Sequence, residues 1–145
     1  MAFGTGALLP MQVVAQRYLI LEKIAQGGMG AIYKAHDRRL EGKVVVLKEM
    51  SESAIAVSER EKVLESFTRE AELLASLDHP NLVKVTDYLQ ENDRHYMVME
   101  YVQGRTLQQE VDAHIGPFSE EEVLVWAEQL CDVLSFLHSQ SPPVV

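Results

Sequence analysis

Residues 18–35 read YLILEKIAQGGMGAIYKA, and this stretch decides the fold of the chain. Two short runs of apolar and β-branched residues flank a glycine-rich turn, which is the pattern of an antiparallel hairpin. A third run of this kind, KVVVLKEM, occupies residues 43–50 after a second turn at Glu41-Gly42. The sequence therefore predicts a meander of three antiparallel strands.

A helical period replaces the strand pattern at residues 58–77, where Val63, Phe67, Leu74 and Leu77 share one face. The segment 78–81 ends this helix, because its proline restricts both itself and its predecessor. Two further strands are predicted at residues 82–89 and 95–101, joined by a polar turn at 91–93.

The last helix is predicted to begin at Ser119, because Ser119 and Glu122 have the spacing of a capping box. A shorter helix is predicted before it, near residues 107–114. The order of three strands, a helix, two strands and then helices predicts an α+β fold. We expect a five-stranded antiparallel sheet with one long helix, after a lead-in at residues 1–16 that shows no clear period.

Composition restricts the function classes. The net charge of −9 argues against general binding of nucleic acid or of anionic membranes. A single cysteine, Cys131, excludes an internal disulfide and fits a reducing compartment, so a cytoplasmic protein is predicted. No apolar run approaches the roughly 18 residues that cross a bilayer, so we expect no membrane segment.

The turn at residues 26–30, QGGMG, is a candidate phosphate site, because glycine lets backbone amides approach phosphate oxygens. Glycines of an ordinary hairpin explain it as well. A Walker A loop is excluded, since Gly30 is followed by Ala31-Ile32 and not by Lys-Ser/Thr. A dinucleotide fingerprint needs a helix after the glycines, and here a strand is predicted.

Two charged residues are candidates for a site beside this turn. Lys48 ends an apolar strand, and strand alternation places it on the same side as Val46. Glu70 falls within the apolar face of the long helix, where an ionised carboxylate is costly unless it is paired. A solvated strand end and a shallow helix edge are the ordinary explanations. Glycine turn, strand lysine and helix glutamate together are more specific than any of them alone.

Five segments follow one another in order: IAQGGMGAIY at 24–33, VVLK at 45–48, FTREA at 67–71, HPNLV at 79–83 and VMEYV at 98–102. Together they resemble motifs of the protein kinase superfamily, in particular bacterial serine/threonine kinases of the eukaryotic-like type. The resemblance covers residues 17–145. It implies a kinase N-lobe at 17–101, and a hinge with the first helices of an incomplete C-lobe at 102–145.

The resemblance implies a role for each matching position. The glycine turn covers the phosphates of ATP, Lys48 holds the α- and β-phosphates, and Glu70 holds the lysine. Apolar walls around adenine are implied at Ile24, Ile32 and Val46, a gatekeeper at Met99, and hinge contacts to adenine at residues 100–102. The implied ATP-binding set is Ile24, Ala25, Gln26, Gly27, Gly28, Met29, Gly30, Ile32, Val46, Lys48, Met99, Glu100, Tyr101 and Val102.

Two positions depart from the family pattern. Ala25 replaces the first glycine of the loop, which removes backbone freedom, and Val46 replaces the usual alanine, which narrows the adenine slot. Both favour a weaker or non-catalytic relative, so a pseudokinase-like nucleotide-binding or interaction module is the alternative to an active kinase.

The His-Arg-Asp catalytic loop and the Asp-Phe-Gly motif with its Mg²⁺ ligands are expected after Val145. The resemblance thus implies a kinase that transfers the γ-phosphate of ATP to Ser or Thr of a protein substrate when complete. We expect these 145 residues alone to be inactive and to contain no metal ligands. The apolar stripe of the last helix, if exposed, predicts self-association.

Overall fold

The computed structural model describes residues 7–28, 30–52 and 55–144. These residues form six strands and three helices. In chain order they are β1 (Val13–Val14), β2 (Tyr18–Gln26), β3 (Ala31–Asp37), β4 (Val44–Ser51), α1 (Arg60–Ser76), β5 (Val85–Glu91), β6 (Arg94–Glu100), α2 (Leu107–Ala113) and α3 (Glu120–His138).

The six strands form one antiparallel sheet in the order β1-β2-β3-β4-β6-β5. The α+β class, with an antiparallel sheet and one long helix beside it, is confirmed. The sheet has six strands rather than the five expected. The additional strand, β1, is two residues long and pairs with β2, and two residues are too few to show a period in sequence.

The lead-in packs against the sheet over its described part, which begins at residue 7. Val14 is buried, and the backbone N–H of Leu8 donates to the hydroxyl of Tyr33 at 2.9 Å. Ala15 and Gln16 adopt positive φ and form the tight turn between β1 and β2. The segment thus closes over the core as part of the sheet.

Two clusters of buried side chains lie on opposite faces of the sheet, because side chains alternate along each strand. The larger cluster contains Val14, Tyr18, Ile20, Ala31, Tyr33, Ala35, Val45, Leu47, Tyr96 and Val98. The smaller cluster joins Met50 and Met97 of the sheet to Phe67 and Ala71 of α1 and to Ile55. The second cluster therefore holds the long helix against the sheet.

The chain divides into two compact units. The first unit contains the residues up to Leu77 together with Val83–Tyr101. The second unit contains Asp78–Leu82 together with the residues from Val102 onward. The second unit contains α2 and α3. The capping box at Ser119 and Glu122 is confirmed at the start of α3, and Thr106 with Gln109 forms another at the start of α2. Among the described residues, no helix is both long and apolar enough to cross a bilayer.

Candidate functional site

Lys48 and Glu70 meet in the first unit. The ammonium Nζ of Lys48 donates to Oε1 of Glu70 at 2.8 Å, and the two side chains are 36% and 46% exposed. Lys48 reaches the helix because side chains alternate along β4, with Val45 and Leu47 buried on the opposite face. The structure therefore brings together the strand lysine and the helix glutamate, in a setting that is open to solvent.

Phe67 supports this ion pair from below. Its ring lies on α1 one turn before Glu70 and is buried, and the Lys48 ammonium stands 5.9 Å from the ring centroid. An ammonium over an aromatic face gains roughly 0.5–1 kcal/mol at an exposed site. Phe67 belongs to the predicted apolar stripe of the helix, but nothing in that pattern predicts its contact with the lysine.

The acidic neighbour of Lys48 in sequence, Glu49, does not compete for it. Glu49 points to the other face of the sheet, where Nη1 of Arg94 donates to its Oε2 at 3.1 Å. Burial raises the pKa of the Glu49 carboxyl, and the nearby Arg94 guanidinium opposes that rise. The carboxylate that faces Lys48 is thus that of Glu70.

The glycine turn joins β2 to β3 and is tied internally. The N–H of Gly27 donates to the carbonyl of Gly30 at 2.8 Å, and the Gln26 side chain donates to the same carbonyl at 3.0 Å. A Cβ on Gly30 would lie 1.9 Å from the carbonyl oxygen of Glu49, whereas a Cβ on Gly28 would meet nothing within 4 Å. Gly30 is therefore required by packing, and Gly28 faces open space.

A cavity of about 610 Å³ lies between the glycine turn and α1. From the predicted set it is lined by Ala25, Gln26, Gly27, Gly28, Gly30, Ile32, Lys48 and Glu70. Its other lining residues are Ala31, Glu49, Met50, Lys62, Val63, Ser66 and Phe67. Met29 was also predicted here, but it lies outside the described residues.

Ser66 and Lys62 lie one and two turns before Glu70 and line the same cavity. Neither residue was predicted to belong to the site, although a spacing of four residues places both on the helix stripe that carries Glu70. The polar residues of this stripe face the cavity, and the neighbouring apolar side chains of Val63 and Phe67 also line it.

Of the predicted adenine residues, Ile32 lines this cavity, whereas Ile24, Val46, Met99 and residues 100–102 do not. Val46 is paired directly with Met99 on the neighbouring strand β6, so the structure brings these two side chains together on one face of the sheet. Ile24 is 52% exposed, and Glu100 at the end of β6 is also exposed.

The last two hinge positions fall in different units. Tyr101 closes the first unit, where the ammonium of Lys34 stands 4.5 Å from its ring centroid. Val102 belongs to the second unit and is 67% exposed. The Lys34 contact was not anticipated from the sequence.

No group of three or more His, Cys, Asp or Glu side chains within residues 7–28, 30–52 and 55–144 is arranged to hold a metal ion.

The chain matches the model of the family described as the protein kinase domain over residues 18–144. It is 39% identical over 129 residues to the probable serine/threonine-protein kinase pknA2 of Bifidobacterium longum (strain NCC 2705), covering 89% of this chain and 17% of that protein. It is 36% identical over 125 residues to serine/threonine-protein kinase PrkC of Bacillus subtilis (strain 168), covering 86% and 18%. The chain thus spans less than a fifth of either curated relative.

Solved structures give the same fold. The kinase domain of PknI from Mycobacterium tuberculosis superposes with a TM-score of 0.72 at 24% identity, over 92% of this chain and 52% of that one. Rad53 1–466 in complex with AMP-PNP superposes with a TM-score of 0.69 at 29% identity, over 85% and 30%.

Proposed function

The chain belongs to the protein kinase domain family, and from that premise we propose that its first unit binds ATP. The observation that carries the proposal is the Lys48–Glu70 ion pair, which lines the same cavity as the glycine turn. An ammonium held by one carboxylate still has donors to offer to phosphate oxygens, since it has three N–H bonds. The complex of the related Rad53 with AMP-PNP, an analogue of ATP, is consistent with this assignment.

Within this proposal different residues contact the phosphates and the adenine of ATP. Lys48 contacts the phosphates and Glu70 positions Lys48, while the turn at residues 26–30 covers the phosphates. Ile24, Ile32 and Val46 enclose adenine, Met99 limits the depth behind it, and Glu100 and Tyr101, at the end of the first unit, bind its edge.

The whole protein, we propose, transfers the γ-phosphate of ATP to Ser or Thr of a protein substrate, with Mg²⁺. Its curated relatives carry serine/threonine kinase names. Neither His-Arg-Asp nor Asp-Phe-Gly occurs in these 145 residues, so the transfer step is assigned to none of them and the chain alone should not label a substrate. We also propose a cytoplasmic location.

A second candidate is a non-catalytic module that holds nucleotide or a partner. Ala25 at the turn entry and the larger Val46 in the adenine slot favour it.

Self-association through α3 stays a prediction: Val123, Leu130 and Leu134 are each about half exposed there. Sedimentation at two protein concentrations tests it.

Calorimetric titration of the purified chain with ATP and with adenosine tests ATP binding. Lys48→Met should weaken ATP by about 10-fold or more, because charge-assisted hydrogen bonds are roughly twice as strong as neutral ones. Adenosine, which has no phosphate, should bind the variant and the unsubstituted chain alike.

Lys43→Met is the matched control, since Lys43 is exposed just before the same strand and does not line the cavity. ATP affinity in this variant should be unchanged. A folded chain that binds no ATP, or equal losses for the two lysines, would overturn the proposal.

A further inference from the structure

A chain of hydrogen bonds crosses the smaller core cluster from the helix α1 to the end of β4. Thr68 Oγ1 lies 3.1 Å from the hydroxyl of Tyr88, which in turn lies 3.0 Å from Nδ1 of His95. Nε2 of His95 lies 2.9 Å from Oε1 of Glu52. This series of hydrogen bonds joins α1, β5, β6 and the residue that follows β4. None of the four residues belongs to the predicted nucleotide site.

The Tyr88 hydroxyl is the middle member of this series of hydrogen bonds. A carboxylate can only accept, so Nε2 of His95 donates to Glu52. The Tyr88 hydroxyl lies within hydrogen-bond distance of both Nδ1 of His95 and Oγ1 of Thr68, so removing it leaves Thr68 and His95 without that partner.

Tyr88 also packs against the aromatic residue that lies beside Lys48. Its ring centroid is 6.0 Å from that of Phe67, the residue whose ring supports Lys48. Thr68 follows Phe67 directly and precedes Glu70 by two residues, so its side chain points about 200° away from Glu70 around the helix. Tyr88 therefore contacts two consecutive residues of α1 just before the glutamate.

We propose that Tyr88 and His95 are positioning residues that fix the rotation of α1 on the sheet, and thereby hold Glu70 toward Lys48. This inference rests on the proposed ATP site. Apolar contacts such as those of Phe67 and Ala71 are non-directional and allow a helix to turn on the surface it covers. A hydrogen bond loses strength steeply when its angle changes, so the Thr68–Tyr88 bond resists that turning.

Hydrogen exchange of the α1 amides without nucleotide tests the positioning directly. Tyr88→Phe keeps the ring but removes the hydroxyl, and we expect exchange at residues 64–71 to accelerate by about 3- to 10-fold, the equivalent of one hydrogen bond. Tyr33→Phe is the matched control: it removes a buried tyrosine hydroxyl from the same sheet, but one that contacts Leu8 and not α1. Equal exchange in the two variants would overturn the proposal, whatever the chain does with ATP.

A double-substitution cycle with ATP affinity then shows whether Tyr88 acts through Glu70. Tyr88→Phe should weaken ATP by about 3- to 10-fold in the unsubstituted chain and by less than about 2-fold when Glu70→Gln is already present. A purely structural loss would be the same in both backgrounds, and that result would overturn the positioning role. If the unsubstituted chain binds no ATP, the proposed function falls, and hydrogen exchange alone decides the positioning of α1.

Thr68 supplies a second route to the same answer, should Tyr88→Phe fold poorly. Thr68→Val replaces the hydroxyl by a methyl group of similar size and should reproduce the faster exchange. Thr68→Ser keeps the hydroxyl and should restore the original rate to within about 2-fold. A valine variant that exchanges as slowly as the serine variant would contradict the proposal.

Discussion

The Arg17–Asp37 pair and the Lys48–Glu70 pair both join opposite charges at hydrogen-bond distance, but they are built differently. Arg17 makes two hydrogen bonds to Asp37, from Nε at 2.9 Å and from Nη2 at 2.6 Å. The carboxylate of Asp37 is 3% exposed. Lys48 makes a single 2.8 Å contact to a carboxylate that is 46% exposed.

The first pair also closes the sheet upon itself. Nη1 of Arg17 donates to Asp87 at 3.0 Å, and the hydroxyl of Tyr18 donates to the same carboxylate at 2.8 Å. Asp87 lies on β5, at the opposite edge of the sheet from β1 and β2. Arg17 therefore links two edges that no backbone ladder connects.

The comparison shows that the buried Arg17–Asp37 pair stabilises the sheet, whereas the solvent-exposed Lys48–Glu70 pair lines the cavity. Desolvated, bidentate pairs lose much when one partner is removed, whereas exposed pairs contribute about 0–1 kcal/mol. An ion pair that contributes little to folding can exchange partners with a ligand at little cost. The exposure of Lys48 and Glu70 thus agrees with a role in binding.

The largest expected effect is on the buried pair. Asp37→Asn removes the charge that Arg17 faces and should lower the free energy of unfolding by about 3 kcal/mol, with Asp87 left to hold the guanidinium. Urea unfolding at neutral pH measures it. Glu65→Gln is the control, because it removes one carboxylate from the exposed Arg69–Glu65 pair and should change stability by less than about 0.5 kcal/mol. Similar losses in the two variants would erase the distinction between the pairs.

The pH dependence of the same variant sharpens the comparison. The hydrogen bonds from Arg17 hold the pKa of the Asp37 carboxyl below its ordinary value of 3.8. A lowered pKa in the folded state stabilises the protein above the unfolded pKa, and that contribution is lost as the pH falls through the folded value. The gap in stability between the unsubstituted chain and Asp37→Asn should therefore be constant from neutral pH to about pH 5 and narrow below it. Urea unfolding at pH 7, 5, 4 and 3 follows the gap, and a gap that persists at pH 3 would assign it to geometry rather than charge.

Local patterns in the sequence were enough for most of the elements. The glycine hairpin, the helical stripe and the Ser119–Glu122 capping box are short-range signals, and the structure has all three. The start of α1 was predicted at residue 58 and lies at Arg60, where Glu59 makes no side-chain capping bond. Without a capping residue the sequence contains no sharp boundary.

The closure of the sheet could not be read in the same way. Arg17 and Asp87 are 70 residues apart, and β1 is a two-residue strand that exists because it pairs with β2. Neither feature leaves a period in the sequence, because pairing between distant segments depends on the folded chain. Residues 1–16 for this reason show no clear period that would predict a strand there.

The candidate site was predictable where a residue was chemically out of place. Glu70 is a carboxylate within an apolar helical stripe, and such a misfit indicates a partner, which the order of motifs identified as Lys48. Phe67 and Tyr88 fit their elements without conflict, as an aromatic residue on an apolar stripe and a tyrosine in a strand. Nothing in their own positions signals that they support the ion pair.

The smallest expected effect is the stability change of Glu70→Gln. The pair that it breaks is about as exposed as a surface ion pair, so the free energy of unfolding should fall by less than about 0.5 kcal/mol, as in the Glu65→Gln control on the same helix. ATP affinity should nevertheless fall by about 10-fold, since Lys48 then loses the group that orients it. Urea unfolding and calorimetric titration of one preparation measure both quantities. A stability loss near that of Asp37→Asn would show that the Lys48–Glu70 pair is also structural. Lys48 could then not leave Glu70 for a phosphate without a loss of folding free energy.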